Sequence, residues 1–269
     1  MPVYKAPPPP APVFSWTGFY IGVNVGGVWS RWDRTDNIVC PVGVGGCVPD
    51  QSAIDDINTL FPTDEFTPFG WGGGGQVGFN YQFGNPAWVG GVEVDAMAFN
   101  RTQTHTFSGN FFTNSPTDNQ ILTSTVKLRG LFSARGRLGF LLAPHLLLYG
   151  TGGVAAASVD LAHTFADFGG NGIPGLSATE SSSLSKTVWG PAFGLGAESA
   201  SGNWSVKAEY IWTHLSSMGW AGSLRAVDST GALIGTPYVY NHGDTLFLQT
   251  VRIGLNYHFN AVTDYSHRE

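Results

Sequence analysis

Charge is scarce in this chain. Asp, Glu, Lys and Arg make up 12% of its 269 residues, against roughly 25% in ordinary soluble domains. The formal balance is −6, so there is no basic excess to bind nucleic acid, and that class of partner is excluded. Cysteine is scarce too. Cys40 and Cys47 are the only two, and without a nearby histidine they are too few for a zinc site. Lying between Gly- and Pro-rich flanks, they suit a local disulfide in an oxidising space. Long apolar runs are missing. The one uncharged stretch long enough for a membrane helix, residues 138–159, is split by Ala143-Pro144-His145 and reads better as strand, turn and strand. The chain opens Met-Pro-Val-Tyr-Lys and runs into prolines, without the apolar core of a secretion leader. An exported protein with this start is expected to be the mature form.

Glycine and aromatics are abundant: 37 glycines and 13% Phe, Trp and Tyr, at a mean hydropathy of +0.01. The pattern is clearest over Thr245–Phe259. Phe247, Gln249, Val251, Ile253, Leu255, Tyr257 and Phe259 form one alternate set, apolar but for one residue. From Thr250 on, the other set is polar or small: Thr250, Arg252, Gly254, Asn256 and His258. Side chains alternate faces along a strand, so this is a long strand with one oily and one wet face. About 9–11 tilted residues cross a bilayer, and the oily face is expected to meet lipid.

Seven further stretches carry strand signals: about 16–30, 71–83, 88–101, 122–140, 146–159, 187–200 and 204–215. The parity of 146–159 cannot be assigned, because leucines and glycines occupy both faces. Pro191 falls inside a strand and calls for a bulge. Connections alternate: 31–70, 102–121, 160–186 and 216–244 are long, whereas Gly84–Ala87, Leu141–His145 and Ser201–Asn203 are tight turns. An even strand number with short turns at one end and long loops at the other is the pattern of bacterial outer-membrane barrels. The expected fold is all-β: an eight-stranded antiparallel up-and-down transmembrane barrel over 15–259, with four long external loops. A Pro-rich periplasmic arm (1–14) precedes it and a polar tail (260–269) follows. Trp16, Trp71, Trp88, Trp189, Trp204, Trp212 and Tyr257 near strand ends are expected to form interfacial girdles.

The inward parity collects charge: Glu93, Asp95, Lys127, Arg129, Arg135, Arg137, Glu198, Lys207, Glu209 and Arg252. Counted up from the tight turns, Glu93, Arg135, Glu209 and Arg252 should share one layer. An eight-stranded interior is only wide enough for side chains to fill it, and unpaired charges there are costly. A salt-bridge plug is expected, with a narrow water path as its rival. No spacing singles out a nucleophile and base, so no catalytic, cofactor or metal residues are assigned.

Three segments carry a family resemblance. Phe14-Ser-Trp-Thr-Gly-Phe-Tyr-Ile-Gly after the prolines, Tyr149-Gly-Thr-Gly-Gly-Val, and Val251-Arg-Ile-Gly-Leu-Asn-Tyr-His-Phe resemble the small opacity-protein-like outer-membrane β-barrels of alphaproteobacteria, over roughly residues 3–259. The resemblance implies a surface antigen that supports envelope integrity, placed in outer-membrane lipid and lipopolysaccharide. It also implies a terminal aromatic signal, here Tyr257 and Phe259, read by the barrel-assembly machinery. Such chains usually end at that aromatic, whereas Asn260–Glu269 follow it here. Some relatives bind haem or host surfaces. The reading is therefore a non-enzymatic structural barrel, its arm reaching peptidoglycan or another membrane protein. The alternatives are a narrow porin, a haem or host-ligand receptor with His163 and His242 as the loop residues to test, and a subunit of a larger membrane complex.

Overall fold

The computed structural model describes residues 13–41, 58, 69–83, 87–109, 119–168, 177–259 and 262–263. Two short strands, β1 (Val13–Phe14) and β10 (Val262–Thr263), flank eight long ones. These are β2 (Gly18–Val39), β3 (Phe69–Phe83), β4 (Trp88–Gly109), β5 (Asn119–Ala143), β6 (Leu146–Phe168), β7 (Ser177–Ser201), β8 (Trp204–Val227) and β9 (Tyr238–His258). Strands β2 to β9 form a closed barrel in chain order. The seam is the antiparallel β2–β9 ladder, from Tyr20↔His258 to Val39↔Val239. Closure removes every free sheet edge, which only a barrel does.

The lower half of each strand shows why a barrel suits this sequence. Phe19, Ile21, Val23 and Val25 on β2, Leu195 on β7 and Ile253 on β9 are exposed large hydrophobics, while their strand neighbours point inward. In water such a band would be an aggregation surface; in a bilayer it is the lipid contact. Aromatic pairs rim it. Trp204 packs on Tyr257 (5.1 Å) and Trp88 on Phe140 (5.5 Å) at the tight-turn end. Trp29 and Trp71 flank Phe69 at the other (4.9 and 5.2 Å). Trp16 is a correction to the expected girdle: it is fully buried in the barrel mouth, its indole N–H donating to the Pro144 carbonyl at 3.1 Å.

Glycine is required where backbone or rings come close. Gly202, with φ of 58°, turns β7 into β8. A Cβ on Gly78 would lie 2.3 Å from the Tyr20 ring, so only glycine leaves that ring its place in the interior.

The strands are longer than their alternation suggested. All but β3 run well past the outer aromatics into stretches expected to be irregular, β5 starting at Asn119 and β8 ending at Val227. Two features mask this in the sequence. Register shifts at Leu128/Gly130 in β5 and Leu215/Met218 in β8 swap the parity that faces inward. Above the lipid, the outer face is polar, with hydroxyl pairs Thr104–Thr125 and Thr106–Thr123 at 3.1 Å. The irregularity expected at Pro191 is present: β7–β8 pairing runs from Ser177 to Thr179 and resumes at Ala192↔Thr213. The turn at Gly84–Pro86 lies outside the described residues.

Replacing Ile253 by Arg is expected to cost about 2–4 kcal/mol in urea unfolding from lipid bilayers, whereas Thr106→Arg above the belt should cost about 0–1 kcal/mol. Equal costs at the two positions would contradict this placement of the lipid band.

Candidate functional site

The interior is stratified, because each strand contributes every second residue at successive heights. At the tight-turn end, Trp16, Val89, Leu147, Tyr149 and Ala200 form an apolar cluster, with Phe14 and Leu141 against it. The N-terminal segment thus folds into the mouth. Its β1 pairs with β10, Val13↔Thr263 and Phe14↔Val262, so residues 13–14 and 262–263 meet.

Above this lies a layer of charge. Glu93 accepts from Arg135 Nη2 (2.8 Å), Arg252 Nη2 (3.0 Å), Lys207 Nζ (2.6 Å) and the Tyr20 hydroxyl (2.8 Å). Asp95 accepts from Arg252 Nη1 (2.7 Å), Arg135 Nη2 (2.9 Å) and the Ser133 hydroxyl. Glu209 accepts from Arg252 Nε at 2.7 Å and lies 3.2 Å from Lys207 Nζ. Lower down, Arg137 Nη2 donates to Glu198 at 2.6 Å, and its guanidinium lies 4.0 Å from the centre of the Tyr149 ring. Asn256 Nδ2 also donates to Glu198 at 2.8 Å. Four carboxylates (Glu93, Asp95, Glu198, Glu209) therefore meet four cations (Arg135, Arg137, Lys207, Arg252), their side chains at most 3% exposed. The layer is neutral as a whole. Each carboxylate is held by several donors, the condition under which buried charge is tolerated.

Arg129 does not join it. It sits at the β5 register shift with its side chain 59% exposed and bonds Asp160 on the outer face. Lys127 lies above the same shift, where the inward positions are Leu122, Ser124 and Val126. Both had been assigned inward by carrying the lower parity of β5 through the shift. Tyr20, Ser133 and Asn256 join the network although sequence reasoning did not select them; each follows from the inward parity of its strand. Tyr257 and Phe259 stack edge to face at 5.3 Å on the lipid side. Cys40, just past β2, is disulfide-bonded; Cys47 lies outside the described residues.

The next layer is apolar, with Trp32, Met97, Phe99, Leu131, Leu215 and Leu248 among its members. Above it, beyond the outer aromatic belt, comes a second polar layer. His163 on β6 and His242 on β9 stack at 4.7 Å. His242 Nδ1 is 2.9 Å from Asp36 Oδ1, and Nε2 is 3.1 Å from the Ser182 hydroxyl. Arg34 Nε pairs with Asp36 at 2.9 Å and Nη1 donates to Ser124 at 2.7 Å. Burial opposes a charge on His242, but the Asp36 hydrogen bond and the negative charges of Asp36 and Glu180 raise it to about 9. Burial and the neighbouring His242 push His163 down to about 3. Burial raises Asp244 to about 7 against the Trp32 hydrogen bond. Ile38, Leu122, Phe165, Leu224, Tyr238 and Tyr240 cap the layer. Sequence patterning alone reads His163 and His242 as residues in or near loops; both lie on strands and point inward. Continuing the even positions of β9 upward through Tyr238, Tyr240, His242 and Asp244 would have placed His242 inside.

A closed barrel with a lipid-facing band outside and ion pairs within defines an outer-membrane protein of bacteria. The chain belongs to the outer membrane protein beta-barrel domain family, whose model matches residues 8–260. It is 30% identical over 258 residues to the 31 kDa outer-membrane immunogenic protein of Brucella melitensis, covering 93% of this chain and 86% of that one. Among solved structures, Ail of Yersinia pestis covers 88% of this chain and 99% of its own, at 15% identity and a TM-score of 0.29. Neisserial surface protein A covers 90% and 98%, at 9% identity and a TM-score of 0.35.

Arg252→Met strips donors from Glu93, Asp95 and Glu209 at once and is expected to cost about 3–5 kcal/mol, read as an earlier transition in heat-modifiable gel migration. Adding Glu209→Gln should recover part of that loss, since one uncompensated charge is removed. A single variant as stable as the parent would contradict the network.

Proposed function

We propose that this chain is a non-enzymatic structural barrel of the outer membrane, closed to solutes and built to hold its external loops above the lipid. The buried, neutral ion-paired layer carries the reading. Its charges satisfy one another across a narrow interior, and the apolar layer directly above them supports a polar path interrupted among the described residues. Ser182, His242 and Asp36 line up as hydroxyl, imidazole and carboxylate, but His242 is 2% exposed beneath the apolar cap and already carries its proton at neutral pH, so a hydrolytic function gains no support.

The tall wall supports display. Residues 119–130 of β5 rise past the lipid band; a dozen residues at about 3.3 Å each, tilted by about 40°, add about 30 Å of height. The Thr104–Thr125 and Thr106–Thr123 pairs on that wall present hydroxyls suited to lipopolysaccharide sugars. The Brucella relative's description as immunogenic agrees with surface-displayed loops. Tyr257 and Phe259 are the assembly signal in this reading, and the Pro-rich arm starts from the periplasmic mouth, where peptidoglycan or a neighbouring membrane protein is in reach. Haem receipt by His163 and His242 is disfavoured, because their stacked rings leave no face for a macrocycle and are at most 2% exposed.

The purified protein in planar bilayers is expected to show no steady conducting state. A stable open level in the unmodified protein would overturn the closed-lumen reading in favour of the narrow porin.

A further inference from the structure

We propose that the upper polar layer is a binding site for one divalent transition-metal ion of the zinc class, held by Asp36, His163 and His242. One donor atom each from Asp36, His163 and His242 lie within 4.8 Å of one another. These residues come from β2, β6 and β9, so a bound ion would tie three strands of the barrel together above the membrane.

The second observation is a local excess of unmet polar atoms. His163 Nε2 has no hydrogen-bond partner and stands 3.8 Å from Asp244 Oδ2, which also has none. Both oxygens of Glu180 lack hydrogen-bond partners, and Oε1 is 3.6 Å from His242 Nε2. Glu180 is 4% and His163 0% exposed. Buried groups of this kind are normally satisfied, and several left unmet in one place point to an ion or water that fills the gap. An ion among the donors of Asp36, His163 and His242 would take up the lone pair that His163 Nε2 leaves unused. Two imidazoles with one carboxylate favour zinc, copper or nickel over calcium or magnesium, which prefer all-oxygen sets. Asp244 lies within reach of His163 as an outer partner that orients the ring. The apolar cap above the site means that the ion loads as the strands assemble and exchanges slowly afterwards. None of this depends on whether the lumen conducts.

The test is to refold the untagged chain in detergent with equimolar Zn2+, desalt it, and measure retained metal. One zinc per chain is expected, with His163→Gln and His242→Gln each reducing retention at least tenfold and His145→Gln, at the opposite end, leaving it unchanged. Heat-modifiable migration identifies variants that have not folded. X-ray absorption at the zinc edge of the unmutated protein then decides independently, with two imidazole nitrogens expected at about 2.0–2.1 Å. No stoichiometric zinc, equal retention in the folded His163 and His242 variants, or a spectrum without the imidazole pair would each overturn the site and leave water as the filler.

Discussion

Charge neutralised inside a narrow wall is the constraint on which the rest depends. An eight-stranded barrel has room inside for side chains and little else. Glu93, Asp95, Glu198 and Glu209 can stand there only because Arg135, Arg137, Lys207 and Arg252 meet them. These groups come from β4, β5, β7, β8 and β9, so the contacts that cross the lumen, Arg252 and Lys207 with Glu93 among them, form only when the sheet has closed. A buried ion pair is weak evidence for stability in itself. Its stronger effect here is on register: slipping one strand by a residue would turn its charges toward lipid and its aliphatics inward.

The same alternation sets the outer surface. In the lower half, odd positions of β9 face hydrocarbon while even ones enter the charged layer; higher up, the odd positions turn to Thr245, Gly243 and Asn241 as lipid gives way to water. The interior answers with polar and apolar strata rather than one core. Trp16 packs in the bottom cluster, the aliphatic and aromatic middle separates two polar layers, and Tyr238 and Tyr240 pack in the top cluster.

Much of this was legible in the sequence. Strand number, the alternation of tight turns and long connections, and the sharing of one layer by Glu93, Arg135, Glu209 and Arg252 all follow from period-two patterning. What was hidden is local. A register shift beside Arg129 reverses parity without leaving a proline or glycine cluster to announce it, so Lys127 and Arg129 read as inward when they are not. Above the lipid, both faces of a strand carry Ser, Thr and Asn, and the contrast that reveals a membrane strand disappears; His163 and His242 therefore read as loop residues. Trp16 looks like a girdle aromatic by position, and only the chain's inward path before Gly18 buries it.

The central claim is that an alternating rhythm separates lipid and water from an interior filled by side chains along the strands. Single-cysteine scanning of β9 from Tyr238 to His258 in bilayers tests it most directly, using a water-soluble thiol reagent and quenching by brominated lipid. Odd positions from 249 to 257 should be lipid-quenched, odd positions from 239 to 245 water-reactive, and even positions neither. Water reactivity at the even positions, or lipid quenching without a two-residue period, would contradict the account.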